Sequence, residues 1–226
     1  MFFRKDYAKP GPGIDPDEPE KTGFARFVEI LTLECVTLVK LNLLVLLCCV
    51  PVVTLPPALY AMNQVVRKMM LDEPVTCFLD FRRAFRRFWK RGWAAFALTA
   101  LPLGMSALGV VFYVPRALEN PLIMGPVAVC MLVLLLTLLA SPCLYGVLST
   151  GRGVKESLRM ALLLGVGKPL RPAVAALCVY GITLGAVLAF PISLIYFLLI
   201  GFSAPCFLGN FFLRTLLRDY CPPVEP

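Results

Sequence analysis

The polar side chains inside the apolar runs of this 226-residue sequence are the first candidates for chemistry: Glu34, Lys40, Asn42, Asn63 and Gln64. Ionisable groups within lipid are costly and usually face a partner or a wet cavity. Glu34 and Lys40 therefore either line a solute route or lie at the membrane interface, with the Lys40 ammonium reaching water, and the interfacial position is favoured. Asn42 lies deeper, and we expect it to bond a neighbouring helix.

Asn63 and Gln64 belong to a short segment, residues 58–70, that follows a group of prolines. About 13 residues are too few to cross a bilayer as a helix. Broken helices frame binding sites in many transporters, because they free backbone groups. The segment is therefore either part of a binding site or a structural hairpin whose polar side chains are satisfied internally, and the hairpin is favoured.

Residues 76–91 combine an aromatic stripe with a basic face. At helical periodicity the phenylalanines and Trp89 fall on one side and the arginines on the other, which is typical of a helix at a membrane surface. The basic face would contact anionic headgroups or, alternatively, dock a partner. Asp80 fits headgroups least and would pair with Arg83 or with a partner's cation. The candidate contact residues are Asp80, Phe81, Arg83, Phe85, Arg86 and Arg87.

Catalytic and cofactor signatures are missing from the sequence. It has no histidine and no hydrolase, metalloprotease, Walker or dinucleotide motif, so we predict no enzyme, no cofactor and no metal. An enzyme acting on lipid would have only Asp80, Glu34 and Lys40 to use. The nine cysteines form no CxxC pair, which argues against a disulfide framework. No basic soluble domain is present to bind nucleic acid.

The composition predicts an all-α, polytopic membrane helix bundle. Hydrophobic residues make up 59% of the chain, and the mean hydropathy is +0.80, whereas soluble domains contain about 45–50% apolar residues. We expect a flexible cytoplasmic tail at 1–26, a single membrane domain at 27–220 and a short tail at 221–226.

About five full spans are predicted, together with the half or re-entrant helix at 58–70 and two cytoplasmic amphipathic helices. The spans are 31–53, 92–114, 121–148, 172–190 and 193–213, and the amphipathic helices are 76–91 and 154–166. Whether 58–70 spans or re-enters stays open. Gly181 and Gly185 form a GxxxG pattern, which predicts close helix packing. Each amphipathic helix precedes a pair of spans, so a weak parallel repeat is a further hypothesis.

The distribution of basic residues predicts the orientation. Lysine and arginine are concentrated in residues 67–91 and 149–171, whereas residues 115–120 contain Arg116 alone. By the positive-inside rule the basic segments and both termini face the cytoplasm. The predicted location is a bacterial plasma membrane, with the lipid bilayer as the first partner.

Residues 42–62 and 72–91 resemble the YesL-like family of small bacterial membrane proteins. The resemblance consists of an Asn-Leu-Leu start, a Leu-Cys-Cys run, Pro-Val-Val-Thr and an acid-Phe-x-x-Ala-Phe motif. Pro56 departs from the pattern, since the family often has glycine there. The residues that carry the resemblance are Asn42, Pro51, Thr54, Ala58, Tyr60, Asp80, Phe81, Ala84 and Phe85.

The resemblance implies a multispan protein of Gram-positive-type bacteria, of a kind often encoded beside carbohydrate uptake systems. Its first functional implication is therefore a non-catalytic accessory or regulatory component associated with carbohydrate uptake, with subunits of a carbohydrate ABC importer as candidate partners. The alternative is a small autonomous transporter or channel for a small solute, motivated by Asn63, Gln64 and the broken helix. The sequence predicts neither a substrate nor an oligomeric state.

Overall fold

The computed structural model describes residues 23–71, 73–117 and 120–220. Of the predicted tails at 1–26 and 221–226, residues 1–22 and 221–226 lie outside these ranges, and residues 23–26 belong to the first helix. The described residues form helices and connecting turns without a strand, which confirms the all-α class. The helices are α1 (Gly23–Cys49), α2 (Leu55–Met70), α3 (Cys77–Arg87), α4 (Trp89–Ala117), α5 (Met124–Leu148), α6 (Val154–Gly167), α7 (Leu170–Leu188), α8 (Leu194–Leu199) and α9 (Ser203–Tyr220).

Four of these helices, α1, α4, α5 and α7, are long and apolar enough to cross a bilayer, so the chain is a membrane protein. The fifth predicted span, 193–213, is instead divided into α8 and α9, with a break at residues 200–202. Gly201 allows this break, because a Cβ atom there would lie 2.5 Å from the Phe197 Cα atom. The backbone therefore turns back on itself more closely than any side chain permits.

The short helix α2 is the centre of the bundle. Ten of its 16 residues are buried, and it contacts α1, α3, α4, α5 and α9. Pro56 and Pro57 stand in its first turn, where a missing N–H breaks no helical hydrogen bond. The prolines thus begin α2 rather than separate it from a preceding span, and α1 ends earlier than predicted, at Cys49.

Both amphipathic helices pack on the protein with their apolar sides. Phe81 and Ala84 of α3 are buried in a cluster with residues of α1 and α2. In α6, Ser157 and Ala161 are buried, and the helix packs against α5. Phe81, one of the predicted contact residues, is only 5% exposed, because it packs against residues of α1 and α2. Phe78 stays exposed.

The predicted close packing at Gly181 and Gly185 is also wrong within the described chain. Both glycines are exposed, and a Cβ atom at either would meet nothing within 4 Å. The close approach on α7 lies on another face, where Val179 comes within 2.9 Å of a Cβ position at Gly209 of α9. The small residue that packing requires is therefore on α9.

Candidate functional site: a neutral polar cavity

Five helices surround a cavity of about 320 Å³. Each contacts the next in the order α4, α5, α7, α9, α2, and α2 contacts α4 to complete the ring. Most of the lining is apolar, and none of the described lining residues is charged. The polar lining residues are Asn63, Thr99, Ser141, Tyr145, Tyr180, Thr183 and Asn210.

Two carboxamides, one from α2 and one from α9, meet at the cavity wall. Asn210 Nδ2 donates to Asn63 Oδ1 at 3.0 Å and to the Cys206 carbonyl at 2.8 Å. Asn63 Nδ2 in turn donates to the Leu59 carbonyl at 3.0 Å. Since a carboxamide has two N–H donors and two acceptor lone pairs, both side chains keep capacity for a further hydrogen bond.

Helices α5 and α7 contribute a hydroxyl pair to the cavity lining, in which Ser141 Oγ and Tyr180 OH are 2.6 Å apart. Pro142 follows directly and has no N–H, so the Leu138 carbonyl one turn earlier lacks its usual partner. Ser141 Oγ lies 3.2 Å from that carbonyl and donates to it, and Tyr180 then acts as the donor to Ser141. The proline and the serine together shape the cavity side of α5.

Polar side chains of α2 cap the C-terminal end of α5. Tyr60 OH donates to the Leu148 carbonyl at 2.9 Å, and Arg67 donates to the Gly146 carbonyl at 2.9 Å. Gln64 Nε2 lies 3.0 Å from Tyr60 OH and 3.3 Å from the Ser149 carbonyl. The last carbonyls of a helix have no intrahelical partner, so these contacts satisfy them and fix α2 to α5.

The five predicted intramembrane polar residues separate into different places. Asn63 lines the cavity, whereas Gln64 belongs to the cap on α5. Asn42 is fully buried and bonds the backbone between α8 and α9. Glu34 and Lys40 lie on α1, away from the cavity lining, with Glu34 half-buried and Lys40 exposed. Burial raises the pKa of the Cys77 thiol at the start of α3. The Lys40 charge lowers this pKa, and the Glu34 charge raises it further.

Asp80 pairs with Lys68 of α2 rather than with Arg83. Its carboxylate accepts from Lys68 Nζ at 2.9 Å and from the Thr76 N–H at 2.8 Å. Burial alone would raise the pKa of Asp80, but these hydrogen bonds and the positive charges of Lys68 and Arg83 outweigh it and lower the pKa. The ion pair joins α3 to α2.

The other predicted contact residues of α3 divide between surface and interior. Arg83, Arg86 and Arg87 are exposed, while Phe85 is half-buried and stacks on Phe81 at a ring distance of 6.0 Å. The arginines of α3, together with Lys90 at the start of α4, thus form a basic surface. We call it the basic surface of α3 and define it by Arg82, Arg83, Arg86, Arg87 and Lys90, all exposed.

Six polar residues of the cavity lining escaped the sequence reasoning: Thr99, Ser141, Tyr145, Tyr180, Thr183 and Asn210. The serine directly before a proline within an apolar run was an available signal, since such a proline frees a carbonyl that a hydroxyl can satisfy. Asn210 was a second signal, because an amide within an apolar helix seeks a partner. In the described residues no group of three or more Cys, Asp or Glu side chains is placed to hold a metal ion.

A family model described as "Protein of unknown function, DUF624" matches residues 38–113. The matched part runs from α1 through most of α4 and includes Asn42, α2 and α3, so it contains the cavity residue Asn63 but not Asn210. The match is to an uncharacterised family, and the finer resemblance to YesL-like proteins stays a prediction. No curated protein and no solved structure matches the chain.

Proposed function

We propose that this protein is a small carrier that binds an uncharged solute in the cavity between α2, α4, α5, α7 and α9. The observation that carries the proposal is that the Asn63–Asn210 pair and the Ser141–Tyr180 pair line one cavity surrounded by five helices. A volume of about 320 Å³ lies at the lower end of the range for small-molecule sites. A mostly apolar wall with a few converging polar groups is also typical of such sites.

The lining supports an uncharged solute. A charged ligand would need a counter-charge to offset the cost of leaving water, and the described lining residues offer none. Carboxamides and hydroxyls both donate and accept, so they suit a solute bearing hydroxyl or amide groups. Breaks between helices precede two of the cavity helices, at residues 50–54 before α2 and at 200–202 before α9, and they resemble the interrupted helices that border transporter sites.

We further propose a bacterial plasma-membrane location with the basic ends of the helices in the cytoplasm, as the positive-inside rule predicts. Arg91 of α4 reaches the Gly151 carbonyl after α5, and Arg171 of α7 reaches Thr215 of α9. The first contact joins the start of α4 to the end of α5, and the second joins the start of α7 to the end of α9. The basic segments flanking these ends then share one side, which supports both termini facing the cytoplasm.

Solute flux tests the carrier function. The purified protein is reconstituted in liposomes, and glycerol, ribitol and glucose are used as probes in stopped-flow light scattering. We expect at least one probe to enter faster than into empty liposomes, and Asn63→Ala to slow that entry about tenfold, the cost of one lost buried hydrogen bond. Asn120→Ala, the same change in the exposed loop before α5, should leave the rate unchanged.

Rates equal to those of empty liposomes with every probe would contradict the carrier function. The second candidate is then the non-catalytic accessory or regulatory component of carbohydrate uptake that the YesL-like resemblance implies. The basic surface of α3 favours this accessory role. The five cations of that surface are exposed, while Phe81 and Ala84 on another side of α3 are covered by α1 and α2. Such a surface complements an acidic partner protein.

Purification in mild detergent followed by mass spectrometry tests the accessory role. We expect importer subunits to copurify with the unmutated chain and to be lost with Arg83→Glu plus Arg86→Glu. Arg116→Glu, an exposed charge reversal at the other end of α4, should keep them. A protein that purifies alone, together with unchanged sugar uptake in a deletion strain, would argue against this role.

A further inference from the structure

The side chain of Asn42 makes four hydrogen bonds to the backbone on the two sides of one helix break. Its Nδ2 donates to the Phe197 and Leu198 carbonyls, each at 2.9 Å. Its Oδ1 accepts from the Phe202 N–H at 2.9 Å and the Ser203 N–H at 3.3 Å. The side chain is 0% exposed, so a carboxamide uses its full donor capacity at this one place.

These four backbone groups are the ones that a helix break leaves unpaired. The carbonyls belong to the last turn of α8, and the N–H groups belong to Phe202 in the break and to Ser203, the first residue of α9. Unpaired backbone groups are costly in an apolar environment without water. A residue 155 positions away therefore replaces the hydrogen bonds that a continuous helix would have made itself.

The break held by Asn42 is also a wall of the cavity. Gly201 and Phe202, which lie in it, both line the cavity, and Cys206 lines it one turn further along α9. Helix α8 has no buried residue, so it has little packing of its own to keep the break in place. Asn42 itself does not line the cavity.

We propose that Asn42 is the positioning residue of the cavity: by holding the break between α8 and α9, it sets the place of Gly201 and Phe202 and thereby the access to the binding site. The role as part of a binding site rests on the proposed carrier function, whereas the control of access to the cavity does not. Replacing Asn42 releases both sides of the break and lets the wall move away from α2.

Alkylation of native cysteines measures this access without a known solute. The full-length protein in mild detergent is treated with N-ethylmaleimide, and mass spectrometry follows Cys206 in the cavity and Cys143, which is buried outside its lining. We expect Asn42→Leu to speed the alkylation of Cys206 by about tenfold or more, because it removes four hydrogen bonds, and the loss of one buried hydrogen bond already shifts an opening equilibrium by about that factor. Cys143 should react as slowly as in the unmutated protein.

Ser203→Ala is the matched control. Ser203 is the first residue of α9, directly after the break, and is fully buried, and its hydroxyl makes no hydrogen bond within the described part of the chain. The substitution keeps the N–H that Asn42 accepts, so the rate at Cys206 should stay unchanged. If Asn42→Leu does not fold, Asn42→Ser retains one donor and one acceptor, and we expect it to give a smaller rise in the same direction.

An unchanged rate at Cys206 in both Asn42 variants would overturn the proposal, and so would an equal rise at Cys143, which would mean general loosening. In the flux assay Asn42→Ser should raise KM and leave the maximal rate per folded molecule unchanged; a fall in the maximal rate alone would contradict positioning. If the unmutated protein carries no probe, the carrier function fails, and the alkylation rates still decide the role of Asn42.

Discussion

At the scale of single residues, several polar side chains in this bundle bond backbone groups that helix geometry leaves free. Tyr60 and Arg67 donate to the last carbonyls of α5. Ser141 donates to the Leu138 carbonyl, which has no N–H partner because Pro142 lacks one. Asn63 and Asn210 differ, because they bond each other at the cavity wall and keep unused capacity, a donor and an acceptor on Asn63 and the acceptor oxygen of Asn210. That unused capacity is what the proposed solute site requires of these two residues.

The Lys68–Asp80 ion pair makes a residue-scale prediction. Asp80→Asn keeps an acceptor for the Thr76 N–H but loses the charge that attracts Lys68, so we expect the midpoint of thermal unfolding in detergent at pH 7 to fall by about 2–4 °C, as a loss of about 1 kcal/mol implies. Asp219→Asn, at an exposed carboxylate in the last turn of α9, is the control and should have little effect.

The pH dependence of the same variant follows from the lowered pKa of Asp80. A carboxyl whose pKa is lower in the folded state than in the unfolded state contributes its full stability above its ordinary pKa. That contribution disappears as the pH falls through the lowered folded-state value. The unfolding midpoints of the unmutated protein and Asp80→Asn should therefore converge in acid, and a constant difference down to the lowest pH measured would contradict the ion pair.

At the scale of elements, the contact between the starts of α2 and α4 depends on a glycine. A Cβ atom at Gly92 would lie 2.6 Å from the Pro57 Cα atom. Backbone cannot move aside as a side chain can, so Gly92→Ala must separate α2 from α4. We expect a loss of about 1–3 kcal/mol in the free energy of unfolding, the usual effect of overpacking, measured by thermal unfolding in detergent.

Gly104→Ala in the same helix is the control for Gly92→Ala. A Cβ atom at Gly104 would meet nothing within 4 Å, so alanine should leave stability unchanged or raise it by up to about 1 kcal/mol through helix propensity. Equal losses at both positions would mean that helix flexibility rather than the contact with α2 determines the effect.

The same elements show what the sequence could predict. The four spanning helices follow from runs of apolar residues, because a bilayer demands length and hydropathy and little else. Helix α2 also followed from its pattern, but its central place did not, since burial on several sides depends on neighbours distant in the sequence. The break before α9 was missed because Asn42, which satisfies it, lies 160 positions from Phe202. The partner of Asp80 was missed for a similar reason: Lys68 becomes its neighbour only when α3 folds back on α2.

At the scale of the whole molecule, the charge is distributed unevenly along the bundle. The basic surface of α3 is formed by the residues that connect α2 to the start of α4 in the sequence. Arg171 of α7 bonds Thr215 near the end of α9. At the far end of α4, by contrast, the described basic residue is Arg116, whose side chain packs on Phe112 at 3.6 Å from the ring centre. The anionic inner leaflet and the positive-inside rule both favour placing the charged end in the cytoplasm.

Labelling of introduced cysteines tests this orientation. Arg83→Cys lies on the basic surface of α3, and Asn120→Cys lies in the exposed connection between α4 and α5. With a membrane-impermeant maleimide we expect Asn120→Cys to be labelled on intact cells and Arg83→Cys only after permeabilisation, because about 30 Å of hydrocarbon separates the two sides. The unmutated chain, with its nine native cysteines, gives the background. Labelling of Arg83→Cys on intact cells would contradict this orientation and place the basic surface of α3 outside the cell.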